Sequence, residues 1–272
     1  MKLSVFTDEI SSTAARSIQL AAAWGITHIE VRGLDGGRFP RVNDTELANF
    51  ENLFKDAGLS VSGVSPGLFK CPLADPSIDI SIAELLPRTC EWAQRWGTDL
   101  VTCHGFRRNE EDQIPNSVID HLGKMCDVAS QLGCRTILEN EGVCWGSTGL
   151  EAAEIIRRVG SDRLQLCWDP GNSAHAGSVC TYPDEYEQVS EFITHVHMKN
   201  YIHESNSWSL LAEPDLNWDA HLTALRNDSY DGFVVVETHT NAIAEEYGLI
   251  DQCLAPLESN TLRNIEFARA YL

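Results

Sequence analysis

Residues 129–141, ASQLGCRTILENE, hold the pattern that decides the fold: the end of an amphipathic helix, a glycine, a short apolar run and a carboxylate at its far end. The same order returns at 21–32 (AAAWGITHIEVR), 54–65 (FKDAGLSVSGVS), 93–105 (AQRWGTDLVTCHG), 157–169 (RRVGSDRLQLCWD) and 226–239 (RNDSYDGFVVVETH). In all but the last, glycine (Gly25, Gly58, Gly97, Gly133, Gly160) stands where a helix C-cap needs a left-handed residue. The runs that follow are apolar nearly throughout, which suits strands buried on both faces of a parallel sheet. Two more runs, at 2–7 and 193–199, bring the strands to eight. Helical spacing predicts helices near 12–24, 44–57, 80–96, 115–132, 148–159, 183–191, 218–226 and 262–271. Eight alternations of strand and helix within about 250 residues is the size of a closed barrel. The expected fold is therefore α/β, a (β/α)8 TIM barrel forming a single domain over 1–272. A doubly wound open sheet is the alternative, but no glycine-rich phosphate or dinucleotide motif follows any strand.

Composition limits the partners. Of 272 residues, 43% are hydrophobic, enough for one large core. Forty acidic against 20 basic residues give a net charge of -20, which repels nucleic acid and anionic membrane surfaces. Nine cysteines are an odd number, scattered and without a Cys-x-x-Cys pair, so neither a disulfide framework nor a thiolate zinc site is expected, and a reducing cytoplasm fits best. The opening MKLSVFTDEI reads as a strand rather than a secretory signal, and no run reaches the roughly 18 apolar residues of a membrane helix.

In such a barrel the strand C-termini line the active-site mouth. Those positions carry Asp8, Glu9, Glu30, Arg32, Ser65, His104, Glu139, Asn140, Asp169, Asn172, His197, Lys199, Glu237 and His239. Carboxylates gathered there repel one another unless a cation neutralises them. Glu139, Asp169, His197 and Glu237 offer hard oxygens and one imidazole, a set suited to one divalent metal such as Mn2+, Mg2+ or Co2+. Each residue also has a plainer reading. Glu139 could belong to a structural ion pair, and Asp169 could simply open the Asp-Pro-Gly turn. His195 shares a face with His197, so one of the two could be packed in the core. Glu237 ends FVVVE, where an unpaired carboxylate would be heavily penalised.

With these residues in view, the chain resembles the xylose isomerase-like TIM barrels, the superfamily of sugar isomerases and epimerases that also contains endonuclease IV. The likeness runs through IEVR, VTCHG, ILENE, CWDPGN followed by HAG, HVHMKN and YDGFVVVE, in that order along nearly the whole chain. The resemblance implies that Glu139, Asp169, His197 and Glu237 hold one divalent metal. It also implies that Glu139 and Glu237 face each other across a bound ketose, one removing a proton and the other returning it through a cis-enediolate. His104, Asn172 and Lys199 are expected to hold substrate hydroxyls or steady the enediolate oxygen. Glu30 is expected to form a mouth ion pair with Arg32 and could also touch substrate. Two departures stand out: Glu213-Pro214-Asp215 replaces a Gly-Glu-Gly stretch of many relatives, and Lys199-Asn200 replaces Lys-Asp. The endonuclease branch, with more histidines and a basic face, does not match.

The leading expectation is a metal-dependent isomerase or epimerase of a small ketose or related hydroxy-ketone. Alternatives are a metal-dependent lyase or dehydratase on a keto-cyclitol, dehydroshikimate or 3-keto-glycoside, and a non-catalytic sugar-binding barrel. The partner is a small-molecule sugar, with a homo-oligomer allowed. Trp145 and Trp208 either stack on a sugar or pack in their loops. The rim shows no lysine and arginine cluster, which speaks against a phosphorylated substrate.

Overall fold

All five C-cap glycines adopt left-handed backbone, with φ between 64° and 84°. Each ends a helix within a few residues of the next strand. At the sixth junction Ser229 takes that conformation (φ 59°), which is why no glycine marks it. The computed structural model describes residues 1–109, 111, 113–160, 162–240, 250–251 and 253–272. Its eight barrel strands are β1 (Lys2–Phe6), β2 (His28–Val31), β3 (Ser60–Leu68), β4 (Leu100–Cys103), β5 (Arg135–Glu139), β6 (Leu164–Trp168), β7 (Ile193–Met198) and β8 (Phe233–Val236). They pair in chain order, all parallel, and β8 closes onto β1 through Val5↔Val236. The expected closed barrel is what forms, and the open sheet is excluded.

The principal outer helices are α1 (Ala14–Ala23), α2 (Asp44–Asp56), α3 (Leu86–Arg95), α4 (Asn116–Gln131), α5 (Gly149–Val159), α6 (Pro170–His175), α7 (Tyr186–Val189), α8 (Trp218–Asn227) and α9 (Pro256–Arg269). The last starts six residues ahead of the sequence expectation, because Pro256 at its first turn needs no amide partner. Helix α6 was not foreseen; six residues are too few to show a period. A short antiparallel hairpin, Asn200–Ile202 with Ser207–Ser209, also went unread after β7. The main apolar core lies between strands and helices, with Ile18, Phe54, Trp92, Met125 and Leu222 among its buried members. The lumen is more polar. Ser4 and Ser62 meet there at 2.7 Å, and Glu30, His195 and His197 lie fully buried. No helix among the described residues is long and apolar enough to cross a membrane.

Candidate metal centre and active site

Four neighbouring strands deliver the expected donors. Glu139 ends β5, Asp169 follows β6, His197 lies in β7 and Glu237 follows β8. One ligand atom from each lies within 4.8 Å of the others, and all four residues are buried. His197 Nδ1 is 3.1 Å from Glu139 Oε1 and 3.8 Å from Glu237 Oε2. His197 Nδ1 and Asp169 Oδ2 are buried without a hydrogen bond, Asp169 Oδ2 having only the Lys199 ammonium at 3.0 Å among the described residues. A buried ring nitrogen facing Glu139 and Glu237, with Asp169 Oδ2 in the same group, fits a divalent cation. The far nitrogen of His197 is accounted for by Glu30 Oε1 at 3.2 Å, the carboxylate–imidazole arrangement that orients metal-binding histidines.

Asp169 reconciles its two readings. Its Oδ1 accepts from the Asn172 amide at 2.8 Å and caps α6, while Oδ2 turns toward the mouth. Asn140 clamps it from behind: Oδ1 accepts from Asp169 N, and Nδ2 donates to Asp169 O, both at 2.8 Å. Asn172 Nδ2 donates to Asn140 O at 2.9 Å, so that amide serves the scaffold although the residue also lines the cavity. Gly171 is required here, since a Cβ would lie 2.6 Å from Lys199 Cγ.

Charge is tightly balanced. Lys199 Nζ lies 3.0 Å from Asp169 Oδ2 and 2.9 Å from Glu237 Oε2. Burial alone would neutralise this ammonium, but the facing carboxylates hold its pKa well above the usual lysine range. Burial raises Asp169 to about 7 even with Lys199 beside it. Glu139 and Glu237 go the other way: burial is outweighed by His197 at Glu139, and by Lys199 and Arg32 at Glu237. His104, behind Glu139 at 3.9 Å, is lowered to about 4 by burial, and neither ring nitrogen has a hydrogen-bond partner. It presents a neutral imidazole to the cavity.

The ion pair expected on β2 is corrected. Glu30 and Arg32 do not pair, because inward residues two apart along a strand sit roughly 6.6 Å apart in height. Arg32, in the upper layer, donates to Asp8 Oδ2 (2.8 Å), Glu9 Oε1 (2.5 Å) and Glu237 Oε1 (2.6 Å). Glu30, in the lower layer, faces His195 Nε2 at 2.5 Å and His197. Burial is outweighed by those imidazoles, and its pKa falls to about 2. It is fully buried beneath His197 and is not among the residues lining the mouth, where the sequence reading sets it within reach of substrate.

The cavity above the four donors has a volume of about 130 Å3. Arg32, Arg38, Lys70 and Lys199 all line it, so the expected absence of a cationic cluster is also wrong. These residues come from different loops, and no single stretch of sequence shows them together. Trp208, carried in by the 200–209 hairpin, lines the cavity and covers Lys199, whereas Trp145 is fully buried beneath Arg108. Asn200, the departure noted above, pins that hairpin by donating to Ser209 Oγ at 2.8 Å. His175 also lines the cavity and was missed, lying on the unforeseen α6.

Comparison with known proteins places the chain. A sequence relative, an uncharacterised protein of Methanocaldococcus jannaschii, is 25% identical over 137 residues, covering 47% of this chain and 45% of the relative, so the match spans just under half of each. Among solved structures, a D-allulose 3-epimerase from Methylomonas sp. superposes with a TM-score of 0.77 at 16% identity, covering 100% of this chain and 98% of that one. The probable 3-DHS dehydratase AsbF from Bacillus anthracis gives 0.73 at 17%, covering 96% and 97%. Residues 18–271 match the family described as xylose isomerase-like TIM barrel, and the chain belongs to that family.

Proposed function

We propose that this protein is a divalent-metal-dependent isomerase or epimerase of a small ketose or related hydroxy-ketone, working by proton transfer through an enediolate. The observation that carries the reading is the convergence of Glu139, Asp169, His197 and Glu237, with His197 Nδ1 turned to the shared point and its other nitrogen held by Glu30. Mn2+, Mg2+ or Co2+ bound there would act as a Lewis acid on the oxygens of a ketose and acidify the neighbouring C–H. The rest is work for the chain. Glu237 is engaged on both oxygens, by Arg32 and by Lys199. Glu139 lines the cavity, and among the described residues the one ion-pair-range neighbour of its Oε2 is the neutral His104 at 3.9 Å. That asymmetry supports Glu139 as the group that takes the proton from carbon and Glu237 as the group across the substrate that returns one. Lys199 and Arg32 would steady the negative charge that develops on oxygen, and His104 can both donate to and accept from a hydroxyl. Trp208 offers an apolar wall to the C–H face of a sugar. The allulose epimerase with the same fold is consistent with this chemistry.

The test is solvent exchange. Mn2+-loaded protein incubated with a panel of ketoses in D2O should place deuterium on the carbon next to the carbonyl, with no other change in mass. Glu139→Gln should lower that exchange by at least about a thousandfold, since it removes both a base and a ligand charge. Loss of water or of an aglycone instead would assign the lyase reading, in line with the dehydratase neighbour. Sugar binding with no exchange at all would leave only a binding barrel.

A further inference from the structure

Four cations line the mouth, and three are already matched. Arg32 serves Asp8, Glu9 and Glu237; Lys199 serves Asp169 and Glu237; Lys70 Nζ meets Glu141 Oε2 at 2.5 Å. Arg38 differs. Its Nε and Nη2 donate to Ser65 O at 3.1 and 3.0 Å, and Nη2 also reaches Ser65 Oγ at 3.2 Å. Among the described residues its Nη1 has no hydrogen-bond partner and no carboxylate forms an ion pair with it. Burial and the nearby Arg32 charge lower its pKa, the opposite of what a paired arginine shows. In a chain carrying 40 acidic residues, a half-buried guanidinium that Glu139 and Asp8 act on only from beyond ion-pair distance is conspicuous.

The site is built rather than accidental. Gly67, at φ +70°, lets the guanidinium lie against the end of β3; a Cβ there would be 2.8 Å from Nε. The Ser65 contacts fix the plane of the fork and leave its Nη1 edge open. Arg38 separates the mouth from a second cleft of about 320 Å3 that contains Asp8 and Asp35. Asp8 is paired with Arg32, and Asp35, which has no ion pair among the described residues, disfavours an anion in that cleft. On the mouth side Glu141 is paired with Lys70 and Glu237 with Arg32 and Lys199, which leaves Glu139 as the carboxylate there that acts on Arg38 without an ion pair to it. An unpaired guanidinium in a partly dry site gains most from a charge-assisted, planar acceptor.

We propose that the substrate bears an anionic group, carboxylate or phosphate, and that Arg38 receives it through Nη1 at the β3 side of the mouth. The proposal rests on the mouth being a substrate site, as argued above, and narrows the substrate from neutral ketoses to anionic ones.

Chelator-treated protein, in which no metal can hold the probe, is titrated calorimetrically with inorganic phosphate and with glycerate. Wild type should bind at least one of them saturably, and Arg38→Met should weaken that binding roughly tenfold to a hundredfold, the worth of one charge-assisted contact. Arg38→Lys should restore part of it. Loss confined to phosphate names a phosphorylated substrate, loss confined to glycerate names a carboxylate, and loss of both names a general anion seat. Equal binding by wild type and Arg38→Met, or no binding of either probe to wild type, overturns the proposal. Thermal stabilisation by Mn2+ is measured on the same variants. If it persists while anion binding is unaffected by Arg38, only this inference fails; if Mn2+ never stabilises wild type, the metal reading fails while the anion result still stands.

Discussion

Lys199 stands between Asp169 and Glu237 and supplies a positive charge where a divalent ion would bring more. A buried ion pair that loses one partner leaves the other uncompensated, which costs about 3–5 kcal/mol. Lys199→Met should therefore destabilise the metal-free protein by roughly that amount, and Mn2+ should stabilise the variant more than wild type, because the ion no longer competes with an ammonium. Denaturant unfolding with and without Mn2+ reads both effects; equal stabilities and equal metal increments would show that Lys199 is not the counter-ion. The same residue shows what sequence could reveal. Glu139 and Glu237 were legible because a carboxylate at the end of an apolar strand is anomalous by itself. Their neighbours were not: Arg32 reaches Glu237 across 205 positions and Glu30 reaches His197 across 167, and local pattern does not encode who meets whom across a lumen.

At the scale of elements, legibility followed periodicity. The five helices closed by Gly25, Gly58, Gly97, Gly133 and Gly160 were long enough for apolar spacing and a C-cap to agree, whereas α6 and the 200–209 hairpin, which bring His175 and Trp208 to the mouth, were too short to announce themselves. Helix α8 illustrates a packing consequence that sequence does not show. It buries His221 between Trp168 and Trp218, with Nδ1 against Asn217 O at 3.0 Å and Nε2 against Thr181 Oγ1 at 3.1 Å. The carbonyl requires Nδ1 to donate, so the hydroxyl donates to Nε2 and the neutral ring is satisfied. Burial lowers its pKa to about 4. Between about 6.5 and about 4 the unfolded chain binds a proton that the folded chain refuses, so stability falls as pH drops through this window, by up to about 3 kcal/mol at its lower end. His221→Gln, which keeps a partner for Thr181, should flatten that part of the pH dependence. Chemical denaturation at steps across the window checks it, and parallel profiles for variant and wild type would refute the assignment. His104, lowered to about 4 by burial at the mouth, adds a similar slope that this substitution leaves in place.

For the whole molecule, the barrel's closure gathers into one place four donors spread from residue 139 to residue 237. The unfolded chain holds them far apart and binds an ion poorly, so metal affinity becomes folding stability. At a hundredfold excess over its dissociation constant, a ligand specific to the native state contributes about 2.7 kcal/mol. In a chain of this size that raises the melting temperature by about 5–10 °C. A net charge of -20 would let any cation stabilise somewhat by screening self-repulsion, so the comparison needs NaCl at matched ionic strength. Micromolar Mn2+ should give the rise, chelator should reverse it, and Asp169→Asn should abolish most of it while retaining the α6 cap through its side-chain oxygen. A rise reproduced by sodium alone, or undiminished in Asp169→Asn, would mean that the four side chains share a barrel mouth without sharing an ion.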